Sequence, residues 1–378
     1  MTEYSPSDLS VLYQPVSIGG GRTLRNRIVM LPMTRTRADI DGTPTAIMAK
    51  HYGQRSSAGL IITESTAVAE VGRGYLTAPG MYTTEHALGW RSVTDAVHAG
   101  GGTIVLQLNH VGRVNNLQHL RREIPPVSPS ALPVPSTERY ITVNIARVTP
   151  YAHPRALATG EIPLVAEQFA HATRLAVFSG FDGVEIHANS GDLIHQFLST
   201  NVNQRTDRYG GSARNRARFA LEVIDAMSAI NGPEYVSIKF TPGLGMGGVQ
   251  EDDLEEKYGY LVEELNRRGE FAFLHLMIPD LADSTLYKMI RETFRGTVLA
   301  ENSRPASVYA SWVAGGITDL VGFGRDYIAN PDLPERLAAG HPLSRTVEEL
   351  VYTGGRRGYT DYPRWGSEGL AGDNSRQS

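Results

Sequence analysis

No cysteine occurs among the 378 residues. Its absence excludes disulfides, thiolate metal sites, iron–sulfur clusters and a cysteine nucleophile in one step. No run of roughly 18 or more residues is apolar enough to span a bilayer. The opening stretch MTEYSPSDLSVLY carries acidic residues and no apolar centre, so no secretory signal is expected. A positive excess is missing as well. Thirty-six Lys and Arg against 40 Asp and Glu give a formal net charge of −4 and a pI near 6.3. There is no basic stripe of the kind that nucleic acid or an anionic membrane surface requires. The 11 histidines never take a metal-ligand spacing such as HExxH, so no metal site is expected. These exclusions make a soluble cytoplasmic protein the expectation; a small-molecule partner and a monomer or homodimer are expected beside it.

The chain is 41% hydrophobic, enough to bury a large core. Residues 1–15 form an extended lead-in, and Val16 to Ile28 alternates around Gly19, Gly20 and Gly21, a hairpin signal. Short apolar strands then alternate with helical stretches. Strands are predicted at Ile28 to Pro32, Leu60 to Glu64, Thr103 to Leu108, Gly183 to His187, Val236 to Thr241, Phe273 to Met277, Val298 to Ala300 and Leu320 to Gly324. A helix from Pro163 to Ser179 carries Val165, Phe169, Ala172 and Ala176 on one stripe. Another follows Ser212, with Ala217, Leu221, Ile224 and Met227 at helical spacing, and stops at Asn231-Gly232. Eight such alternations without a linker imply a single (β/α)8 TIM barrel over residues 1–365, with an N-terminal β-hairpin. An open doubly wound sheet is the competing architecture. The connection after the third strand is rich in proline and includes an alternating stretch, Tyr140 to Val148, which predicts an ordered hairpin capping the barrel mouth. Residues 366–378 read as a flexible tail.

Parallel α/β folds put their chemistry beyond the carboxyl ends of the strands. Several predicted strand ends carry polar groups. Thr34 follows the first strand, Gln107 ends the third, His187 ends the fourth, Lys239 lies in the fifth and Arg325 follows the eighth on a glycine turn. That last position is where such barrels hold a phosphate. The fourth strand also delivers Asn189, Ser190 and Asp192 within a few residues. His110 reads as a loop residue bonded to backbone, and His195 and His275 as packing residues. The run Gly245 to Gly248 reads as a turn.

The stretch Phe181 to Gly211 carries more than a pattern. Its DGVEIH at Asp182 to His187, QFLS at Gln196 to Ser199 and NQRTDRYGGSARNRARF at Asn203 to Phe219 resemble the Old Yellow Enzyme family of flavin-dependent ene-reductases. The resemblance extends over most of residues 10–365. It implies bound FMN, with NADPH or NADH as reductant. Pro32, Met33 and Thr34 would lie along the isoalloxazine, and Gln107 at its pyrimidine side. Lys239 would sit near N1 and O2, where the family usually has arginine. Arg325 would hold the phosphate, with Asn302 and Gly324 nearby. His187 would serve both flavin and substrate, while Asn109 and Tyr352 would line the substrate space.

Two departures stand out against that family pattern. Ser190 and Asp192 replace an asparagine or histidine donor and the tyrosine that protonates the substrate. Glu301, in Ala300-Glu301-Asn302-Ser303, stands where a glycine is common, and would repel a phosphate unless it turned toward Arg304 or solvent. The reaction implied is NAD(P)H-driven reduction of an activated C=C bond in a small enone or enal, with His187, Asn189, Ser190 and Asp192 as catalytic residues. The alternatives are an isomerase, desaturase or cyclisation catalyst on the same barrel, or a binding protein built on a degenerate one. Asp192 has three possible roles: a buried protonated acid, an ionised base, or a solvent-facing bystander with water as proton source.

Overall fold

The computed structural model describes residues 8–115, 124–135, 151–278 and 280–366. Among them, eight parallel strands close on themselves. In chain order these are Ile28–Met30, Leu60–Ile62, Ile104–Asn109, Gly183–Ala188, Val236–Phe240, Leu274–Leu276, Val298–Ala300 and Leu320–Phe323. Each pairs with its neighbours in sequence, and the last pairs with the first through Val321–Ile28 and Phe323–Met30. The barrel expected from the sequence is therefore present, and the open sheet is not. The first strand stops short of Pro32, which has no N–H to donate to a ladder.

Side chains alternate across each strand. Val184, Ile186 and Ala188 join the large apolar layer between strands and helices, leaving Glu185 and His187 for the barrel interior. The lower interior is a separate apolar cluster of Val29, Leu31, Leu60, Ile62, Val105, Phe273, Leu299 and Leu320. The hairpin Val16–Ile18 with Arg22–Leu24 closes this end. Its Ile18 and Leu24 are buried in that cluster, each stabilising by about 1.5–3 kcal/mol. The bottom is thus sealed, and the inward positions turn largely polar toward the carboxyl ends.

The two helices examined in the sequence lie at Ile162–Phe178 and Ala213–Asn231. Pro163 sits in the first turn of the former, where its missing N–H costs nothing. Ser212 caps the latter by accepting from Asn215 N–H, and Gly232 ends it at φ 83°. Within the long connection, Val127–Ser128 pairs in parallel with Arg155–Ala156. The predicted hairpin at Tyr140 to Val148, and positions 367–378 of the tail, lie outside the described residues.

Candidate active site

A cavity of about 660 Å³ opens at the carboxyl end of the barrel. Pro32, Met33, Thr34, Gln107, Asn109, His187, Asn189, Ser190, Asp192, Lys239, Arg325 and Tyr352 all line it. Strand register explains part of this convergence. His187 pairs with Lys239, and Gln107 with Glu185, so inward side chains of adjacent strands share a level.

Past His187 the chain makes a tight turn. Ser190 and Gly191 both have left-handed backbone, φ 55° and 78°. A β-carbon on Gly191 would lie 2.6 Å from the Met246 carbonyl. The turn is braced by His195, whose Nδ1 accepts from Gly191 N–H at 3.1 Å while its Nε2 contacts Glu251 at 3.1 Å. His195 therefore shapes the site from behind rather than merely packing.

Asp192 precedes the short helix Leu193–Leu198, a position where aspartate ordinarily caps the helix. Its carboxylate makes no capping bond. Instead Oδ2 accepts from Asn109 Nδ2 at 3.1 Å and lies 2.8 Å from His187 Nδ1, though the ring N–H is not aligned for a hydrogen bond. Asp192 is 5% exposed, so the solvent-facing role is corrected: the carboxylate belongs to the cavity wall.

Glu301 also needs correction. It turns toward neither Arg304 nor solvent but lies across the cavity floor, 2.5 Å from Lys239 Nζ and 3.1 Å from His275 Nε2. Burial pushes its carboxyl up, yet Lys239 and His275 outweigh that and hold it well below the usual carboxylate range. Arg304 contacts Asp280 at 3.6 Å. His275, read as a packing residue, is a hydrogen-bonded member of the floor.

Two expected residues stand outside the cavity lining. Asn302 donates its backbone N–H to Tyr309 Oη at 3.1 Å, and its side-chain Nδ2 is buried without a partner. Gly324 works indirectly, since a β-carbon there would come within 3.1 Å of Met33 Sδ and press that side chain inward. Arg325 sits at the rim with its guanidinium paired to Glu348 at 2.5 Å. His110 does not line the cavity; its Nδ1 accepts from Gly112 N–H at 3.1 Å, as its loop position suggested.

The chain matches the model of the NADH:flavin oxidoreductase / NADH oxidase family over residues 11–344. The chain belongs to that family. The Old Yellow Enzyme resemblance carried by Asp182 to Phe219 is borne out, and the protein is an FMN-dependent NAD(P)H oxidoreductase. Relatives of this family include a Leishmania infantum protein described as "Probable flavin mononucleotide-dependent alkene reductase". It is 40% identical over 94% of this chain and 98% of its own length. The 12-oxophytodienoate reductase 2 of Arabidopsis thaliana is 38% identical over 91% of this chain and 93% of its own. Among solved structures, morphinone reductase in complex with tetrahydroNAD superposes with a TM-score of 0.89 at 42% identity, covering 93% of this chain and 97% of that one.

The donor set suits the family's cofactor. The cavity volume falls within the roughly 300–1,000 Å³ usual for cofactor pockets. Ser65 Oγ, Thr241 Oγ1 and Asn189 Oδ1 line the cavity as buried polar atoms without a partner among the described residues. Buried polar atoms are rarely left so unless a ligand satisfies them. Ser65, Thr241 and Met277 were missed in the sequence, although Ser65 directly follows a predicted strand, Thr241 and Met277 end theirs, and the strand-end rule would have found all three. Arg73 and Tyr151 also line the cavity, but they come from loops whose path no local pattern encodes. The Gly245 to Gly248 turn contributes a wall through Met246 and Gly247.

Proposed function

We propose that the protein catalyses NAD(P)H-driven reduction of an activated C=C bond in a small enone- or enal-like substrate, and that Thr34, Gln107, Lys239 and Arg325 hold its FMN. Bound FMN would carry two electrons from the nicotinamide to the alkene. The observation that carries the reading is the convergence of His187, Asn189, Ser190 and Asp192 on the same cavity as Thr34, Gln107 and Lys239.

The residues have distinct tasks. Lys239 would place a cation beside the part of the ring where negative charge develops on reduction. Arg325 is paired only at the exposed rim, where an ion pair is worth about 0–1 kcal/mol, so exchanging Glu348 for a phosphate costs little. Pro32 and Met33 form an apolar flank. At the substrate end, His187 offers a ring N–H to the carbonyl oxygen, and the Ser190 hydroxyl or Asn189 amide a second donor. Asn109 Nδ2 fixes Asp192 at 3.1 Å, with Asp192 Oδ2 2.8 Å from His187 Nδ1. The pair stands where the family carries its phenol, and it supplies the proton that the substrate's α-carbon must gain.

The test is anaerobic. Purified protein should show a flavin spectrum that bleaches on NADPH addition and recovers when an enone such as 2-cyclohexenone is added. A reduced flavin that no member of a panel of enones and enals reoxidises would overturn the proposal.

A further inference from the structure

At the floor of the cavity, the inward positions of the third to sixth strands and Glu301, just after the seventh, hold five polar residues in a continuous chain. Gln107 Nε2 donates to Glu185 Oε1 at 2.7 Å, and Glu185 Oε2 meets His275 Nδ1 at 2.9 Å. His275 Nε2 meets Glu301 Oε2 at 3.1 Å, and the same oxygen accepts from Lys239 Nζ at 2.5 Å. Glu185 and His275 are fully buried and Lys239 is 5% exposed. Register fixes the order, since Lys239 pairs with His275 across one ladder and Gln107 with Glu185 across another.

Charge within this chain is best defined at Glu301: Lys239 and His275 hold its carboxyl well below the usual carboxylate range despite its burial. An ionised carboxylate only accepts hydrogen bonds, and an unpaired charge inside the barrel is costly. The ammonium of Lys239 is therefore compensated at contact distance by Glu301.

We propose that Glu301 is a positioning residue that sets the charge Lys239 presents to bound FMN, lowering the flavin's reduction potential below that of the same barrel without the carboxylate. The inference rests on the FMN assignment above. Reduction adds two electrons and one proton to oxidised FMN and leaves an anionic ring. A lone cation beside that ring stabilises the reduced form, and a neutralising carboxylate removes part of the stabilisation. The chain also orients Gln107: because its amide nitrogen must face Glu185, its oxygen is left for the cavity.

The test is the midpoint potential of FMN-loaded protein, measured by equilibration with a reference dye, for wild type, Glu301→Gln, Glu301→Gly and Glu301→Asp. Glycine is common in the family at this position, so Glu301→Gly keeps the measurement possible if the glutamine variant folds poorly. Both neutral variants should move the reduction equilibrium at least tenfold toward reduced FMN, about 30 mV upward for a two-electron couple. Glu301→Asp keeps the charge and should stay within that range of wild type. Neutral variants that retain FMN at an unmoved potential overturn the inference alone, as does an equal shift in all three, which would report a structural effect. A wild-type protein that takes up no FMN on reconstitution overturns the cofactor reading and this inference with it.

Discussion

Oδ2 of Asp192 lies 2.8 Å from Nδ1 of His187, with the two side chains only 8% and 12% exposed. The contact links the residue that would bind a substrate carbonyl to the residue standing where the family has its phenol. It also accounts for an aspartate at a helix start that forgoes capping. The carboxylate accepts from Asn109 and lies against His187 instead.

Removal of that carboxylate should separate the half-reactions. Asp192→Asn is expected to leave flavin reduction by NADPH unchanged and to lower enone turnover about 10²-fold or more, the usual contribution of a positioned proton-transfer group. Asp192→Tyr should recover turnover by reinstating a phenol. Stopped-flow measurement of each half-reaction checks both. Wild-type turnover in Asp192→Asn would remove Asp192 from proton transfer.

Arg325 should matter for retention rather than chemistry. Losing one charge-assisted bond of about 1.5–3 kcal/mol predicts an FMN affinity about 10- to 100-fold weaker in Arg325→Ala. Flavin fluorescence after dialysis gives the affinity. Full flavin content through dialysis would show that the phosphate is held elsewhere.

The barrel was legible because strands buried on both faces read as short β-branched runs, as in Val184 to Ile186 and Val236 to Ile238, and because Ser212 and Gly232 mark helix ends by known chemistry. Residues at strand ends, such as Gln107, His187 and Lys239, followed from the same pattern. What did not follow depended on direction rather than position. Whether Glu301 faces a phosphate or Lys239 is decided by inward alternation after the seventh strand, which is only three residues long. His275 looked like packing because its two carboxylate partners come from strands 90 and 26 residues away. Asp192 carries the sequence signature of a cap, and only its tertiary partners override it.

Ser190 should be a site of recoverable stability. Its φ of 55° costs a non-glycine residue roughly 1–2 kcal/mol, and asparagine tolerates this region better than serine. Ser190→Asn is therefore expected to stabilise the fold by about 0.5–1 kcal/mol, measured as a higher midpoint in thermal or urea unfolding. It lines the cavity, so the longer side chain has room. A lower midpoint would indicate that the turn is not held in the left-handed region.

The stability of the barrel should also depend on pH through His110. Burial pushes its imidazole down from 6.5 to about 4, despite the opposing influence of Asp192. The ring is covered and its Nδ1 accepts from Gly112 N–H, so the folded state favours the neutral form. The unfolded state binds a proton more readily. The contribution is therefore fully present above the unfolded pKa near 6.5 and is lost as pH falls toward about 4. For a shift of this size the loss is on the order of 3 kcal/mol. His110→Asn can keep the Gly112 bond through its amide oxygen while removing the titration. Urea unfolding between pH 7 and pH 4, about the span of the shift, should show a shallower decline for the variant than for wild type. Parallel declines would show that other groups carry the acid sensitivity.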